Sequence, residues 1–148
     1  MRFHEIAAAD LPRLFAIRTA ARENPISREG LDAAGITEQT VAVMLATTHR
    51  GWLCEIQGQP VGFAIGNGSN GELWVIAVLP EHEGKGIGRA LMELTQDWLW
   101  SKGWPELWLV TGFDRKARAA NLYQKMGWKD AGVRDGQRLF VLKRPTKT

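Results

Sequence analysis

At 148 residues, 45% hydrophobic and 24% charged, the chain has the size and composition of one globular domain and is too apolar to be disordered. A net charge of +3 and a pI near 9.3 suit an anionic ligand and equally a well-solvated basic surface. One cysteine, Cys54, excludes an internal disulfide and a cysteine-based zinc cluster, and no run of about 18 apolar residues exists to cross a membrane as a helix.

Arg2 to Ile6 reads as a short first strand; its charged residues and Asp10 also leave no apolar run for a leader. Asp10 is expected to cap a helix through Glu23, with Pro12 in its first turn and Leu11, Leu14, Phe15 and Ala21 near one face. Asn24-Pro25 stops that helix, and Ser27 to Gly35 reads as an irregular connection. Thr37 caps a second helix through about Leu45. Trp52 to Gln57 and Val61 to Gly66 form a hairpin around Gly58-Gln59, with Cys54 as a core filler. Asn67 to Gly71 is a turn, and Glu72 to Leu79 is a strand apolar enough to lie centrally in a sheet. A glycine loop follows, then a helix to Lys102 with Ile87, Leu91, Leu94 and Trp98 on one stripe. Glu106 to Val110 is a strand, and Arg115 to Met126 a helix closed by Gly127. Trp128 to Arg134 and Gln137 to Lys143 make a terminal hairpin around Asp135-Gly136. The sum is an α/β (α+β) single domain over residues 1–148, with about four helices and a mixed, mostly antiparallel sheet of six to seven strands. Seven tryptophans add buried area, and several need an acceptor for the indole N–H.

The chemistry concentrates in Glu81 to Ala90, where a buried strand meets an amphipathic helix. A helix N-terminus presents unpaired N–H groups and partial positive charge, and glycines let a ligand approach the backbone. Lys85 and Arg89 add mobile cations, so a diphosphate suits this loop. Two other phosphate loops fail on spacing. The dinucleotide fingerprint needs glycine or alanine at Arg89 or Leu91, and the nucleotide P-loop needs a Gly-Lys-Ser/Thr run that is absent. A glycine turn serving only tight strand–helix packing is the competing reading.

Val78-Leu79-Pro80, three residues, then Gly84-Lys85-Gly86-Ile87-Gly88-Arg89-Ala90-Leu91 resembles the acetyl-CoA signature of the GNAT N-acetyltransferase superfamily. Glu83 stands at that signature's usual Arg or Gln, so its carboxylate is expected to point outward or to pair with a base. Downstream, Arg118-Ala119-x-x-Leu122-Tyr123-x-x-x-Gly127-Trp128 is similar to a second family segment, with Lys116 where many members place a pantetheine-binding Asn. The order of elements matches along essentially the whole chain.

The resemblance implies that the strands Glu72 to Leu79 and Glu106 to Val110 run parallel and splay to admit the pantetheine arm. Backbone groups of Ile76, Ala77 and Val78 would then meet its amides, with Val78 N–H a donor to the thioester carbonyl. Gly84, Lys85, Gly86, Ile87, Gly88 and Arg89 would hold the phosphates. Acetyl-CoA is therefore the expected cofactor, and coenzyme A the product. Tyr123, the one tyrosine, occupies the family position from which a phenol protonates the leaving thiolate. Phenol and thiol pKa values of about 10 and 8.5 are close enough for that transfer. An amine attacks only in its neutral form, and Glu72 aligns with a carboxylate some members use as base, provided burial raises its pKa. Plain core packing of Tyr123 and solvation of Glu72 are the competing readings.

The acceptor end is less legible. Arg18 and Arg22, one helical turn apart, could receive a carboxylate or phosphate, although a solvated helix face is the commoner use of such a pair. Asn24 follows in the region that usually contributes to the acceptor pocket. Trp52 and Trp74 could wall an apolar or cationic site. His4, His49 and His82 lack metal-ligand spacing, so no metal is expected. The functional expectation is transfer of acetyl from acetyl-CoA to an amine of a small molecule or peptide, in the cytoplasm. The alternative is a GNAT-like module that binds acyl-CoA without efficient transfer. A nucleic-acid partner is not expected, because no strand interleaves basic and aromatic residues. No membrane partner is expected, and an exposed terminal hairpin leaves homodimerisation open.

Overall fold

In the computed structural model, which describes residues 1–20, 28–111 and 118–144, the strands are β1 (Arg2–Glu5), β2 (His49–Ile56), β3 (Gln59–Asn67), β4 (Glu72–Val78), β5 (Glu106–Thr111), β6 (Lys129–Arg134) and β7 (Gln137–Lys143). They form one sheet in the order β1-β2-β3-β4-β5-β7-β6. Every neighbouring pair is antiparallel except β4 and β5. The helices are α1 (Leu11–Ala20), α2 (Arg28–Ala33), α3 (Glu38–Thr47), α4 (Ile87–Ser101) and α5 (Arg118–Lys125). The α+β sheet of seven strands is as expected, with one more helix than the pattern suggested.

That extra helix, α2, replaces the irregular connection read from Ser27 to Gly35. Its six residues carry one deeply buried apolar anchor, Leu31, which is too little for a periodicity to register. Asp10 also differs. It ends a 3₁₀ turn, Ala8–Asp10, and its carboxylate accepts backward from the Ala7 N–H at 2.9 Å. Thr37 caps α3 as expected, accepting from the Thr40 N–H at 3.2 Å.

The first hairpin turns one residue earlier than its sequence suggested. Gln57 (φ 52°) and Gly58 (φ 77°) are both left-handed, the signature of a two-residue type I′ turn, and Asp135 (φ 51°) and Gly136 (φ 77°) repeat it between β6 and β7. Gly127 ends α5 with φ 93°, and the Trp128 N–H closes back on the Tyr123 carbonyl at 2.9 Å.

Helices cover both faces of the sheet. On one, α1 and α3 pack Leu14, Phe15, Ile17 and Val41 against Leu53, Phe63, Ile65 and Ala77. On the other, α4 lies across β2, β3 and β4. The buried stripe of α4 is Ile87, Leu91, Met92, Thr95 and Leu99, whereas Leu94 and Trp98 are half-buried. The stripe is rotated from the expected one because Thr95 can enter the core, its hydroxyl donating to the Leu91 carbonyl at 2.8 Å. Gly66 on β3 makes the fit close, since a Cβ there would come within 2.9 Å of Thr95 Cγ2. Each fully buried Leu or Ile in these layers contributes about 1.5–3 kcal/mol.

Candidate active site

The site begins with a bulge. Ile65 pairs with Val75 while Gly66 pairs with Leu73, so Trp74 is an extra residue on β4. Strand alternation reverses there. Trp74 and Val75 both pack toward the α1/α3 layer, whereas Ile76 and Val78 pack toward α4. The Leu79 N–H donates to the Val61 carbonyl at 2.8 Å. Counting back by two, the peptide groups of Ala77 face β3, and those of Ile76 and Val78 face β5.

β5 does not meet them. Within the described residues β4 and β5 are registered at one pair, Glu72 with Trp108, and the Trp108 N–H donates to the Gly71 carbonyl at 3.2 Å. The closed end is held by the turn before β4. Indole N–H groups of Trp104 and Trp108 donate to Gly68 O (2.9 Å) and Asn70 O (3.0 Å), which meets the expected need of the tryptophans for acceptors. Beyond this clamp the two parallel strands splay, and a cavity of about 810 Å³ runs through the gap.

At one end of the cavity lies the glycine loop. Gly84 (φ 80°) and Gly86 (φ 82°) are left-handed, a conformation other residues reach only with strain. Gly86 precedes α4 without a side-chain cap, and the first backbone bond of the helix is Ala90 N–H to Gly86 O at 3.1 Å. The N–H groups of Ile87, Gly88 and Arg89 therefore have no acceptor within the helix. A Cβ at Gly88 would sit 3.3 Å from Leu122 of α5, so this glycine keeps the mouth between α4 and α5 open.

Gly84, Gly86, Ile87, Gly88 and Arg89 line this end, and Ile76, Ala77 and Val78 line the wall. Lys85 does not; it is exposed, with Nζ 2.9 Å from His82 Nδ1. Arg89 is exposed and paired with Glu93 one turn on, at 3.1 Å. Glu83 is half-buried and faces the cavity, so its carboxylate does not point outward as the first expected alternative had it. Lys116 lies outside the described residues.

Tyr123 stands between the ends, 4% exposed, its ring edge-on to Phe140 at 5.4 Å and tilted to Trp128 at 6.4 Å. Glu72 lies at the closed end of the splay, half-buried. Burial pushes its carboxyl above the ordinary carboxylate range, opposed by a hydrogen bond from Asn70 and by the charge of Arg134. Arg134 itself lies over the Trp108 ring, 5.5 Å from its centroid.

The far end reaches the α1/α3 layer at Arg18, Ile36 and Trp74. Burial lowers the pKa of Arg18, and Trp74 meets His49 edge-on at 5.2 Å. Trp52 takes no part, because it packs with Cys54 and Ile87 on the α4 side. Arg22 and Asn24 lie outside the described residues. The sequence reading missed Asn121 and Lys125 in the cavity lining, although four-residue spacing on one helix carries that signal. It missed the bulge as well. Among the described residues no cluster of His, Cys, Asp or Glu could hold a metal, and no helix is long and apolar enough to cross a membrane.

Residues 11–128 match the model of the acetyltransferase (GNAT) family. The chain belongs to the GNAT acetyltransferase family. Among curated GNAT relatives, the [ribosomal protein bS18]-alanine N-acetyltransferase of Escherichia coli K12 is 30% identical over 131 residues, covering 87% of this chain and 81% of that one. Its crystal structure superposes with a TM-score of 0.73 at 25% identity, covering 99% and 96%. The mycothiol acetyltransferase of Renibacterium salmoninarum is 36% identical over 63 residues, 43% of this chain, and that match spans only 18% of the relative's length. The PaiA N-acetyltransferase of Thermoplasma acidophilum, solved with coenzyme A, shares the GNAT fold with a TM-score of 0.82 at 16% identity, covering 97% and 100%.

Proposed function

We propose that residues 1–148 form one domain that transfers an acetyl group from acetyl-CoA to the amine of a small molecule or peptide in the cytoplasm. The observation that carries this reading is the single registered pair between β4 and β5, beyond which one cavity joins the glycine loop to Glu72. With a cofactor threaded through that gap, the α4 N-terminus would hold the pyrophosphate, and the bulged part of β4 would meet the thioester. The residues fit such a group. Open N–H groups and the left-handed Gly84 and Gly86 suit a diphosphate, and the Ile76 and Val78 peptides suit the amides of an extended arm.

The chemistry follows from charge. The acceptor arrives mostly as an ammonium, with a pKa of about 10, and attacks only after losing its proton. Glu72, raised by burial, takes that proton directly or through water. As nitrogen bonds to the acyl carbon, negative charge grows on the carbonyl oxygen and is met by the Val78 N–H. When the carbon–sulfur bond breaks, Tyr123 protonates the departing thiolate, and the second proton lost by the nitrogen restores the phenol through water. At the acceptor end Arg18 and Trp74 hold the substrate, with Arg18 suited to an acidic group on it.

The test is thiol release from acetyl-CoA with amino acids, polyamines, aminoglycosides and peptide N-termini as acceptors. The last group includes alanine N-termini, since the Escherichia coli relative is named for one. Amine-dependent release is expected. Saturable coenzyme A binding without release for any amine would favour the acyl-CoA-binding module instead, a reading to which the carboxylate of Glu83 in the cofactor lining lends weight.

A further inference from the structure

A second cavity, of about 140 Å³, opens beside the far end of the first. It lies between the sheet and the α1/α3 layer, lined by Leu14, Phe15, Leu31, Val41, Phe63 and Ile65. The two cavities share Arg18, Ile36, Trp74 and Val75. The bulge explains the shared wall, because it turns Trp74 and Val75 to the same side of β4.

The pocket is open rather than sealed, so a guest that enters it removes apolar wall from water. Apart from Arg18 its described lining is apolar, and a cavity of about 150 Å³ with such a lining accepts a benzene-sized guest. We propose that this cavity is the acceptor's side-chain pocket, and that the acetylated amine carries a branched aliphatic or phenyl-sized group close to its nitrogen. The proposal rests on the acetyl-transfer reading for the position of the amine. Glu72 and Trp74 sit on the same face of β4, so an amine beside Glu72 has the shared wall next to it. A second ammonium is a poor occupant, since an apolar lining cannot replace its water.

The experiment compares the amides of glycine, leucine, phenylalanine and lysine as acceptors, together with calorimetric binding of each amide to the protein saturated with coenzyme A. Leucine and phenylalanine amides are expected to exceed glycine amide by about tenfold or more in kcat/KM, and to bind correspondingly tighter, with lysine amide no better than glycine amide. Val41→Phe should fill the cavity and remove the preference, because Val41 is 3% exposed and lines this cavity and not the larger one. Phe15→Leu, which empties space, should shift the preference toward tryptophan amide and covers the case in which Val41→Phe fails to fold. Equal kcat/KM and equal binding across the four amides would overturn the proposal. So would a preference for hexanoyl-CoA over acetyl-CoA that Val41→Phe abolishes, which makes the cavity a donor acyl pocket. If no amine releases thiol, the transfer reading fails alone; calorimetry still decides the pocket, and leucine amide binding no tighter than glycine amide, or unchanged in Val41→Phe, sinks it.

Discussion

Glu72 and Trp108 are the point at which β4 and β5 stay together, and the same two residues bring charge to the closed end of the splay. Trp108 clamps the turn before β4 through its backbone and its indole. Its ring also carries Arg134, whose charge acts on Glu72. The clamp that closes one end of the splay thus also brings a charge that partly offsets the effect of burial on the carboxylate there.

Glu72→Gln should lower kcat/KM near neutral pH by about 100-fold, the lower range for loss of a general base, and should flatten the acid limb of the pH profile. Stability should move the other way. A carboxyl raised in the folded state binds its proton more tightly there than in the unfolded chain. Its contribution is therefore fully present below the ordinary carboxylate pKa and is lost as pH rises through the raised value. Once ionised, Glu72 is a half-buried charge that Gln lacks. Thermal denaturation should show Tm for Glu72→Gln equal to or above wild type, and a clear drop would make Glu72 structural.

Arg134→Gln tests the coupling. The guanidinium favours ionised Glu72, so removing it should raise the Glu72 pKa further and move the acid limb of kcat/KM to higher pH. Arg134 is exposed, so salt should shrink the difference between the two proteins. Profiles that superimpose at low ionic strength would show that Glu72 does not govern that limb.

For Tyr123 the packing and the chemistry separate cleanly. Its ring fills the cluster with Trp128 and Phe140, and Phe keeps that ring. Tyr123→Phe should therefore fold, while kcat per folded protein falls by about 100-fold or more. Tyr123→Ala should cost about 3–5 kcal/mol of stability through the cavity left behind, read from urea denaturation. Unchanged kcat in Tyr123→Phe would leave the ring a packing residue.

Much of this arrangement was legible in the residues, and the exceptions share a cause. Alternation and turn residues located the seven strands, because a period of two and paired left-handed residues are local features. Glycine spacing located the turn into α4 for the same reason. The bulge at Trp74 was invisible, since Leu73 to Val78 is apolar on both faces and a reversal of alternation leaves no trace in such a run. The short α2 was lost because Leu31 alone anchors it, and the rotated stripe of α4 because Thr95 reads as polar until its hydroxyl finds Leu91. The bulge and α2 both contribute to the cavity walls beside α1 and α3, where sequence said least.

Gly86 and Gly88, two residues apart, should fail in different ways. Gly86 is left-handed with nothing within 4 Å of an added Cβ, so Gly86→Ala meets strain and no collision. It should cost about 1–2 kcal/mol, the usual penalty for that conformation, and reach coenzyme A only through the tilt of the first turn of α4. Gly88 has no such strain, but its Cβ position is 3.3 Å from Leu122 and 3.8 Å from Val78. Gly88→Val therefore forces α4 and α5 apart or fills the mouth between them. Overpacking of that kind costs about 1–3 kcal/mol, and an occluded mouth adds a loss of affinity. Calorimetry should show coenzyme A binding weakened more by Gly88→Val than by Gly86→Ala, at comparable losses of Tm. The reverse order would place the cofactor's phosphates on the loop before Gly86, away from the α4 N-terminus.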